Sequence, residues 1–321
     1  MPELGEHLIA GVAPQLSSAA ARLLWESALP AVRANLEQGL NTIASGAVGR
    51  DEVVTAIREE TSRLIIRRTR EAEARILSST DPSTRAPARL LKRLFSGAPQ
   101  NAECIPVITT NYDTLIELFC DLADLPLDTG FAGFRRRRAR SGTVFQTQYR
   151  RTIAPRRQSA IYEHRPCVNV RLMKPHGSIT WQSVDGLPIE VLDDQSDAPR
   201  EIAIPGPTKY EDTLINRLFD GMRAEMNAAV NRASALLCLG FGFNDAHLDG
   251  AIRTRLEAGM PTLILTRDFT PNIEAIIERY PNVVGVQRQG SGAEARRDGE
   301  VVSLTAPVWE LDVFLKTYLE S

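Results

Sequence analysis

Cysteine occurs only four times in 321 residues, at Cys104, Cys120, Cys167 and Cys238, and never as a CxxC pair. A structural zinc site needs clustered thiolates or His/Cys pairs, and a disulfide-stapled miniprotein needs a far denser framework. Neither is expected. Each cysteine lies in or beside an apolar run and reads as a buried free thiol of a reducing cytosol. Long apolar runs are also missing. No stretch of eighteen uninterrupted apolar residues exists, so no transmembrane helix and no membrane partner are expected. The opening MPELGEHLIAG has two acids and no basic run before a greasy segment, unlike a secretory signal. A cytoplasmic location follows as the expectation.

Lysine is scarce too: four stand against 34 arginines. The arginines are unevenly spread. From Thr129 to Tyr162 there are nine, namely Arg135, Arg136, Arg137, Arg138, Arg140, Arg150, Arg151, Arg156 and Arg157, and no acid. That stretch is +9 in a chain whose total is −2, which leaves −11 elsewhere. Such a dipole can hold an anionic ligand, contact nucleic-acid phosphates through Arg135–Arg157, dock an acidic partner or gate a site. A solvated, self-repelling loop explains it equally well. The aromatics nearby, Phe131, Phe134, Phe145 and Tyr149, are irregularly placed for base stacking. With 43% hydrophobic and 24% charged residues, the chain has enough apolar material for a real core, which excludes wholesale disorder.

Residues 1–98 read as helical. Ala19 to Ile43 is rich in Ala, Leu, Glu and Arg, with an interruption expected at Pro30. Arg50 to Leu77 repeats Val53, Val54, Ile57, Leu64 and Ile65 at helical spacing, and Ala88 to Phe95 makes a short helix. From residue 99 to 321 short apolar strands alternate with helices. Cys104–Thr110, Asn169–Met173, Ala235–Leu239, Thr262–Thr266 and Asn282–Val286 read as strands. Ile179–Trp181, Glu190–Leu192 and Glu201–Ile204 are weaker candidates. Asp113–Leu122, Asp212–Arg232, Ala246–Ala258, Pro271–Arg279 and Trp309–Leu319 read as helices. The alternation predicts an α/β fold of doubly wound, Rossmann-like type, with a mainly parallel sheet. A helical N-terminal region and a smaller irregular or β insertion, Arg-rich over 129–165, complete the expected organisation.

In an open parallel sheet, ligands collect at the carboxyl ends of the strands. After CIPVITT come Asn111, Tyr112 and Asp113. Thr114 and Glu117 have the spacing of a capping box, and Asp113 or Thr114 can equally serve only as the helix cap; neither reading needs Asn111, which is left to aim an amide into a crevice. After Met173 comes Lys174-Pro175-His176-Gly177-Ser178. His176 suits a general base near neutral pH, although taken alone a structural histidine hydrogen-bonded in a turn is the commoner reading. After Leu239, Gly240-Phe241-Gly242-Phe243-Asn244-Asp245 lets backbone approach a ligand, or is a plain strand-turn-helix. After Thr266, Arg267 and Asp268 sit where the adenosine half of a nucleotide could lie, or form a surface ion pair. Thr270 with Pro271 is a regular helix start.

TTNYDTLIE at 109–117, KPHGSITW at 174–181, GFGFNDAHL at 240–248 and LILTRDFTPN at 263–272 occur in an order that resembles sirtuin-like proteins, closest to those of bacterial anti-phage defence. The resemblance implies a Rossmann-like NAD+-binding domain. It assigns Asn111, Asp113 and His176 as catalytic. It places Thr110, Tyr112, Gly240, Phe241, Gly242, Asn244, Arg267 and Asp268 around NAD. It also implies NAD+ hydrolysis to nicotinamide and ADP-ribose, with NAD as substrate and no zinc, because the zinc-binding cysteine pairs of protein deacylases are absent. A non-catalytic NAD+ or ADP-ribose sensor is the alternative, and a protein deacylase ranks last. The family's opening strand and Gly-Ala-Gly-x-Ser loop have no counterpart after Met1, whose helical surroundings resemble the family's variable helical insertion. A homo-oligomer and a HerA-type ATPase partner are further implications of the resemblance.

Overall fold

A computed structural model describes residues 2–98, 104–140, 149–152, 161–164, 168–185, 187–192, 200–203 and 217–320. The backbone divides into two compact units. Met1–Ser79 and Ala98–Met222 form the first; Thr80–Gly97 and Arg223–Ser321 form the second. The fold is α/β and Rossmann-like, with a helical N-terminal region.

The first unit opens with α1 (Pro2–Gly11), α2 (Ala19–Ala34), α3 (Leu36–Leu40) and α4 (Arg50–Ser78). Ser18 caps α2, its hydroxyl accepting from the Ala21 amide at 3.1 Å. Pro30 does not interrupt α2 as expected; the helix runs on to Ala34 and breaks at Asn35. Pro30 is exposed, so the carbonyl that loses its amide donor can meet water. Trp25, Ala28 and Val32, all buried, hold the helix on either side. Leu8, Val12, Leu16, Val53 and Ile57 join them in one core. The Arg50–Leu77 periodicity corresponds to α4, whose Val53, Ile57 and Leu64 are buried.

Short α5 (Ala86–Ser96) belongs to the second unit. The first unit resumes with β1 (Cys104–Ile108), α6 (Leu115–Leu122), the brief strands β2 (Leu127–Asp128) and β3 (Phe131–Ala132), and β4 (Arg136–Ala139). A hairpin of β5 (Tyr149–Thr152) and β6 (Ile161–His164) follows, then β7 (Asn169–Met173), β8 (Gly177–Val184), β9 (Leu187–Val191) and β10 (Arg200–Ile202). Two sheets result. β1, β7 and β2 are parallel, with β7 central and buried at every position. The second is antiparallel, ordered β10-β8-β9-β4-β3. The Arg-rich stretch, expected to be irregular or β, therefore contains regular strand at 136–139, a position that no periodicity in the sequence marked. Trp181 anchors this sheet, 5.3 Å from the Phe131 ring and 6.2 Å from Phe219. Cys167 lies outside the described residues, as do residues 141–148 and 153–160.

Helix α7 (Arg217–Arg232) leads to β11 (Leu236–Leu239), α8 (Ala246–Glu257), β12 (Thr262–Leu265), α9 (Pro271–Arg279), β13 (Val283–Gln289), β14 (Gly292–Arg297) and β15 (Glu300–Leu304). β11, β12 and β13 are parallel in sequence order; β14 and β15 extend the sheet antiparallel. The final helix does not start at Trp309. Short α10 (Leu311–Phe314) continues as a wider π-helical turn over Leu315–Leu319. Leu315 is fully buried against Ala86 and Leu90 of α5.

Candidate functional site

Parallel pairing of β1 with β7 sets their carboxyl ends side by side, in the register Ile108 with Met173. The Thr109 amide extends the ladder to the Met173 carbonyl at 3.0 Å. Residues 109–113 and 174–178 therefore leave neighbouring strand tips. Three further ties join the two loops. The Ile179 amide donates to the Tyr112 carbonyl at 3.0 Å. The Ser178 hydroxyl reaches the same carbonyl at 3.4 Å. The Lys174 ammonium donates to the Asp113 carbonyl.

Asn111 is exposed at the first tip, its backbone amide held by the Thr109 hydroxyl at 3.1 Å. Thr110, Tyr112 and Asp113 are half-buried. The capping box expected from Thr114 and Glu117 does not form. Instead the Asp113 carboxylate accepts from the Leu115 amide at 3.0 Å and starts α6. The Thr114 hydroxyl turns to Glu73 at 3.0 Å. Glu117 is drawn into the interior by Lys174, whose Nζ lies 2.6 Å from its carboxylate.

That ion pair is the feature sequence reading missed. Lys174 is 2% exposed. Its Nζ also approaches the Ser178 hydroxyl at 3.3 Å, which in turn bonds Thr180 at 2.9 Å. Burial pushes the Glu117 carboxyl above the usual carboxylate range, although the Lys174 charge and hydrogen bond pull it back. The signal available beforehand was that one of only four lysines stands inside the KPHGS motif.

His176 is buried, 8% exposed. Its carbonyl accepts from the Ala203 amide at 2.8 Å, which fastens the turn to the end of β10. Gly177 is indispensable here. Its φ is +88°, and a Cβ would stand 2.1 Å from the Glu201 carbonyl oxygen. The Tyr112 hydroxyl donates to the Ala203 carbonyl, so both tips are moored to the same residue.

The other sequence-selected residues lie in the second unit. Gly240 ends β11 with φ +61°, its amide bonded to the Leu265 carbonyl at 2.8 Å. Phe241 and Phe243 pack edge to face, centroids 4.7 Å apart. The Thr270 hydroxyl bonds the Gly242 carbonyl at 2.7 Å and caps α9 through the Ile273 amide at 3.2 Å, as the Thr-Pro start predicted. Asn244 is exposed and accepts from the Asn272 amide group at 2.9 Å. Arg267 and Asp268 form an exposed ion pair at 2.7 Å, and Arg288 approaches the same carboxylate at 3.5 Å. In the first turn of α8, Asp249 is buried, and that burial raises its carboxyl despite Arg253 at 3.4 Å.

Cys120 and Cys238 are pushed up to about 12, chiefly by burial, so neither supplies a thiolate nucleophile at neutral pH. Among the described residues no three His, Cys, Asp or Glu side chains gather as a metal ion requires. Nor is any helix among them long and apolar enough to cross a membrane.

Compared with known proteins, residues 106–280 match the family model described as a SIR2-like domain. That span is more than half of the chain and includes both strand tips and the loops after β11 and β12. No curated protein matches.

Proposed function

The chain belongs to the SIR2-like domain family, and on that premise we propose that it is an NAD+ glycohydrolase. Members of the family are typically NAD-utilising enzymes, and the domain binds NAD. Water adds to the anomeric carbon of the nicotinamide ribose as the N-glycosidic bond breaks. The bonding pair leaves with the pyridinium nitrogen as neutral nicotinamide, and the water's proton passes to a base. The pyridinium charge already activates that bond. The protein must orient water, stabilise an oxocarbenium-like centre and accept a proton.

In this reading Asn111 orients water or a ribose hydroxyl, His176 accepts the proton and Asp113 holds the carboxamide. Gly240, Phe241, Gly242 and Asn244 line the ribose and phosphates, with Arg267 and Asp268 towards the adenosine and Thr110 and Tyr112 flanking the reactive tip. The observation that supports it most is the tying of the Asn111 and His176 loops to each other and to Ala203. The helix cap engages one oxygen of the Asp113 carboxylate, Oδ1, and Asn111 is exposed. The motif resemblance to anti-phage sirtuin-like proteins extends the proposal to NAD+ depletion in bacterial defence. A homo-oligomer and a HerA-type ATPase are the assemblies that extension implies.

Nicotinamide release from NAD+ tests the chemistry. Asn111→Ala and His176→Ala should each lower turnover by roughly 100-fold or more, the usual scale of a lost positioned acid or base. Turnover equal to wild type in either variant removes that residue from the mechanism. Calorimetric binding of NAD+ with no turnover identifies a sensor, and consumption that requires an acylated peptide identifies a deacylase.

A further inference from the structure

We infer that the turn before β4 and the outward face of β4 form a docking surface for single-stranded nucleic acid, independent of the NAD+ chemistry. Along β4, exposure alternates: Arg136 and Arg138 are exposed, while Arg137 and Ala139 turn inward. The inward arginines are spoken for. Arg137 pairs with buried Glu190 at 3.1 Å, and the Thr129 hydroxyl bonds the same carboxylate at 3.0 Å. Buried Asp128 is held by Arg140 and by Arg171, the latter at 3.3 Å.

The consequence is electrostatic. Glu190 and Asp128, the acids that neutralise this region, are consumed beneath the strand. Among the described residues neither Arg136 nor Arg138 has a carboxylate partner. Two guanidinium groups are thus presented on one face without internal compensation, in a chain stretch that holds nine arginines and no acid. Alternate residues of a strand lie about 6.8 Å apart along its axis, close to the separation of successive phosphates on an extended single strand. Arginine's planar fork suits phosphate oxygens.

One aromatic distinguishes this surface from a plain anion patch. Phe134, two residues before Arg136 on the turn from β3, is 92% exposed. Phe131, by contrast, is buried on Trp181. An exposed ring two residues along the chain from a phosphate-spaced pair of exposed arginines is the combination that single strands use, bases stacking on the ring while the backbone follows the charge. A duplex keeps its bases stacked on one another and gains nothing from the ring.

Fluorescence anisotropy with labelled dT20 and a duplex of equal length, between 50 and 200 mM NaCl, tests the proposal. The full chain should bind dT20 more tightly than the duplex. Arg136→Ala with Arg138→Ala should reduce the slope of log affinity against log salt by about 1.4, since each phosphate contact on a single strand contributes about 0.7. Over that fourfold salt range the double variant should therefore lose about sevenfold less affinity than wild type. Arg136→Lys with Arg138→Lys should retain the slope. Phe134→Ala should weaken dT20 binding at least about fivefold at every salt concentration without changing the slope. All three substitutions are at exposed positions, and unchanged circular dichroism melts would verify the fold. No dT20 binding, an unchanged slope in the Ala double variant, or tighter binding of the duplex overturns the proposal. Competition by poly-glutamate as effective as by dT20, with no effect of Phe134→Ala, assigns the surface to an acidic protein and equally overturns it.

Discussion

Lys174 shows how one side chain can organise two loops. Its ammonium joins the carbonyl of Asp113, the carboxylate of Glu117 and the hydroxyl of Ser178 in the interior. Removing one member of a buried pair leaves the other charge without compensation, which costs about 3–5 kcal/mol. Lys174→Met should lose stability on that scale in urea unfolding followed by tryptophan fluorescence, and adding Glu117→Gln should recover part of it. The pH dependence has a definite sign. The folded Glu117 carboxyl is already raised by burial, and without Lys174 it rises further. The part of the extra instability carried by Glu117 should be absent at low pH, grow as pH rises above the wild-type folded value and level off above the variant's higher one, while the lost hydrogen bonds to Asp113 and Ser178 cost stability at every pH. A loss under about 1 kcal/mol, or one independent of pH, contradicts this account.

Two glycines make a second comparison at this scale. Both Gly177 and Gly240 have positive φ, but a Cβ at Gly177 meets the Glu201 carbonyl while one at Gly240 meets nothing within 4 Å. Gly240→Ala should cost only the left-handed conformational penalty, about 1–2 kcal/mol. Gly177→Ala should cost clearly more, because the backbone of β10 must move and carry the His176 turn with it. Equal unfolding midpoints for the two variants would contradict the assigned clash.

Among the elements, α2 and α4 are joined at their beginnings by Glu52. Its carboxylate accepts from the hydroxyls of Ser17 and Ser18, at 2.8 and 2.6 Å, and from their backbone amides. The Ser18 side-chain hydrogen bond, then those from Ser17, hold Glu52 down at about 2, well below its ordinary value of 4.5. The contribution is present above the ordinary value and is lost as pH falls through the depressed one. Carboxyl-resolved NMR should therefore titrate Glu52 near 2, and the amides of Ser17 and Ser18 should exchange faster across the same range. Titration at the ordinary carboxylate value would show the junction open.

Elements were readable in the sequence where hydrophobic period and terminal signals agreed. Asn169–Met173 is an apolar run between turn residues, and Pro271–Arg279 has its Thr-Pro start; both have the bounds expected. The position of β4 was invisible because its alternation is carried by arginines of one chemical type, with the difference lying in Glu190, the partner of inward Arg137. Pro30 misled because exposure and neighbouring burial decide whether a proline ends a helix. The strand tips bearing Asn111 and His176 were legible from strand-to-loop order alone. The Lys174–Glu117 pair was not, because a lysine in a polar loop reads as solvated until a helix from elsewhere in the chain is laid beside it.

For the whole molecule, the division into units crosses the sequence. Residues Thr80–Gly97 belong with Arg223–Ser321, not with the helices that precede them or the strand that follows. Arg89 of α5 pairs with Asp312 and Glu320, and Leu90 packs on Leu315. Leu315→Ala should cost about 2–5 kcal/mol as a buried truncation. It should also raise hydrogen exchange in peptides spanning 86–96 while leaving those of α2 unchanged. Retained protection over 86–96 would mean that α5 is secured elsewhere.

This discontinuity bears on how the protein is made. On the ribosome, the apolar face of α5 emerges long before the residues that cover it. Leu90 must wait for Leu315, 225 positions downstream, which at roughly 5–20 residues per second is about 11–45 s of synthesis. During that interval the nascent helix is a natural client for a chaperone.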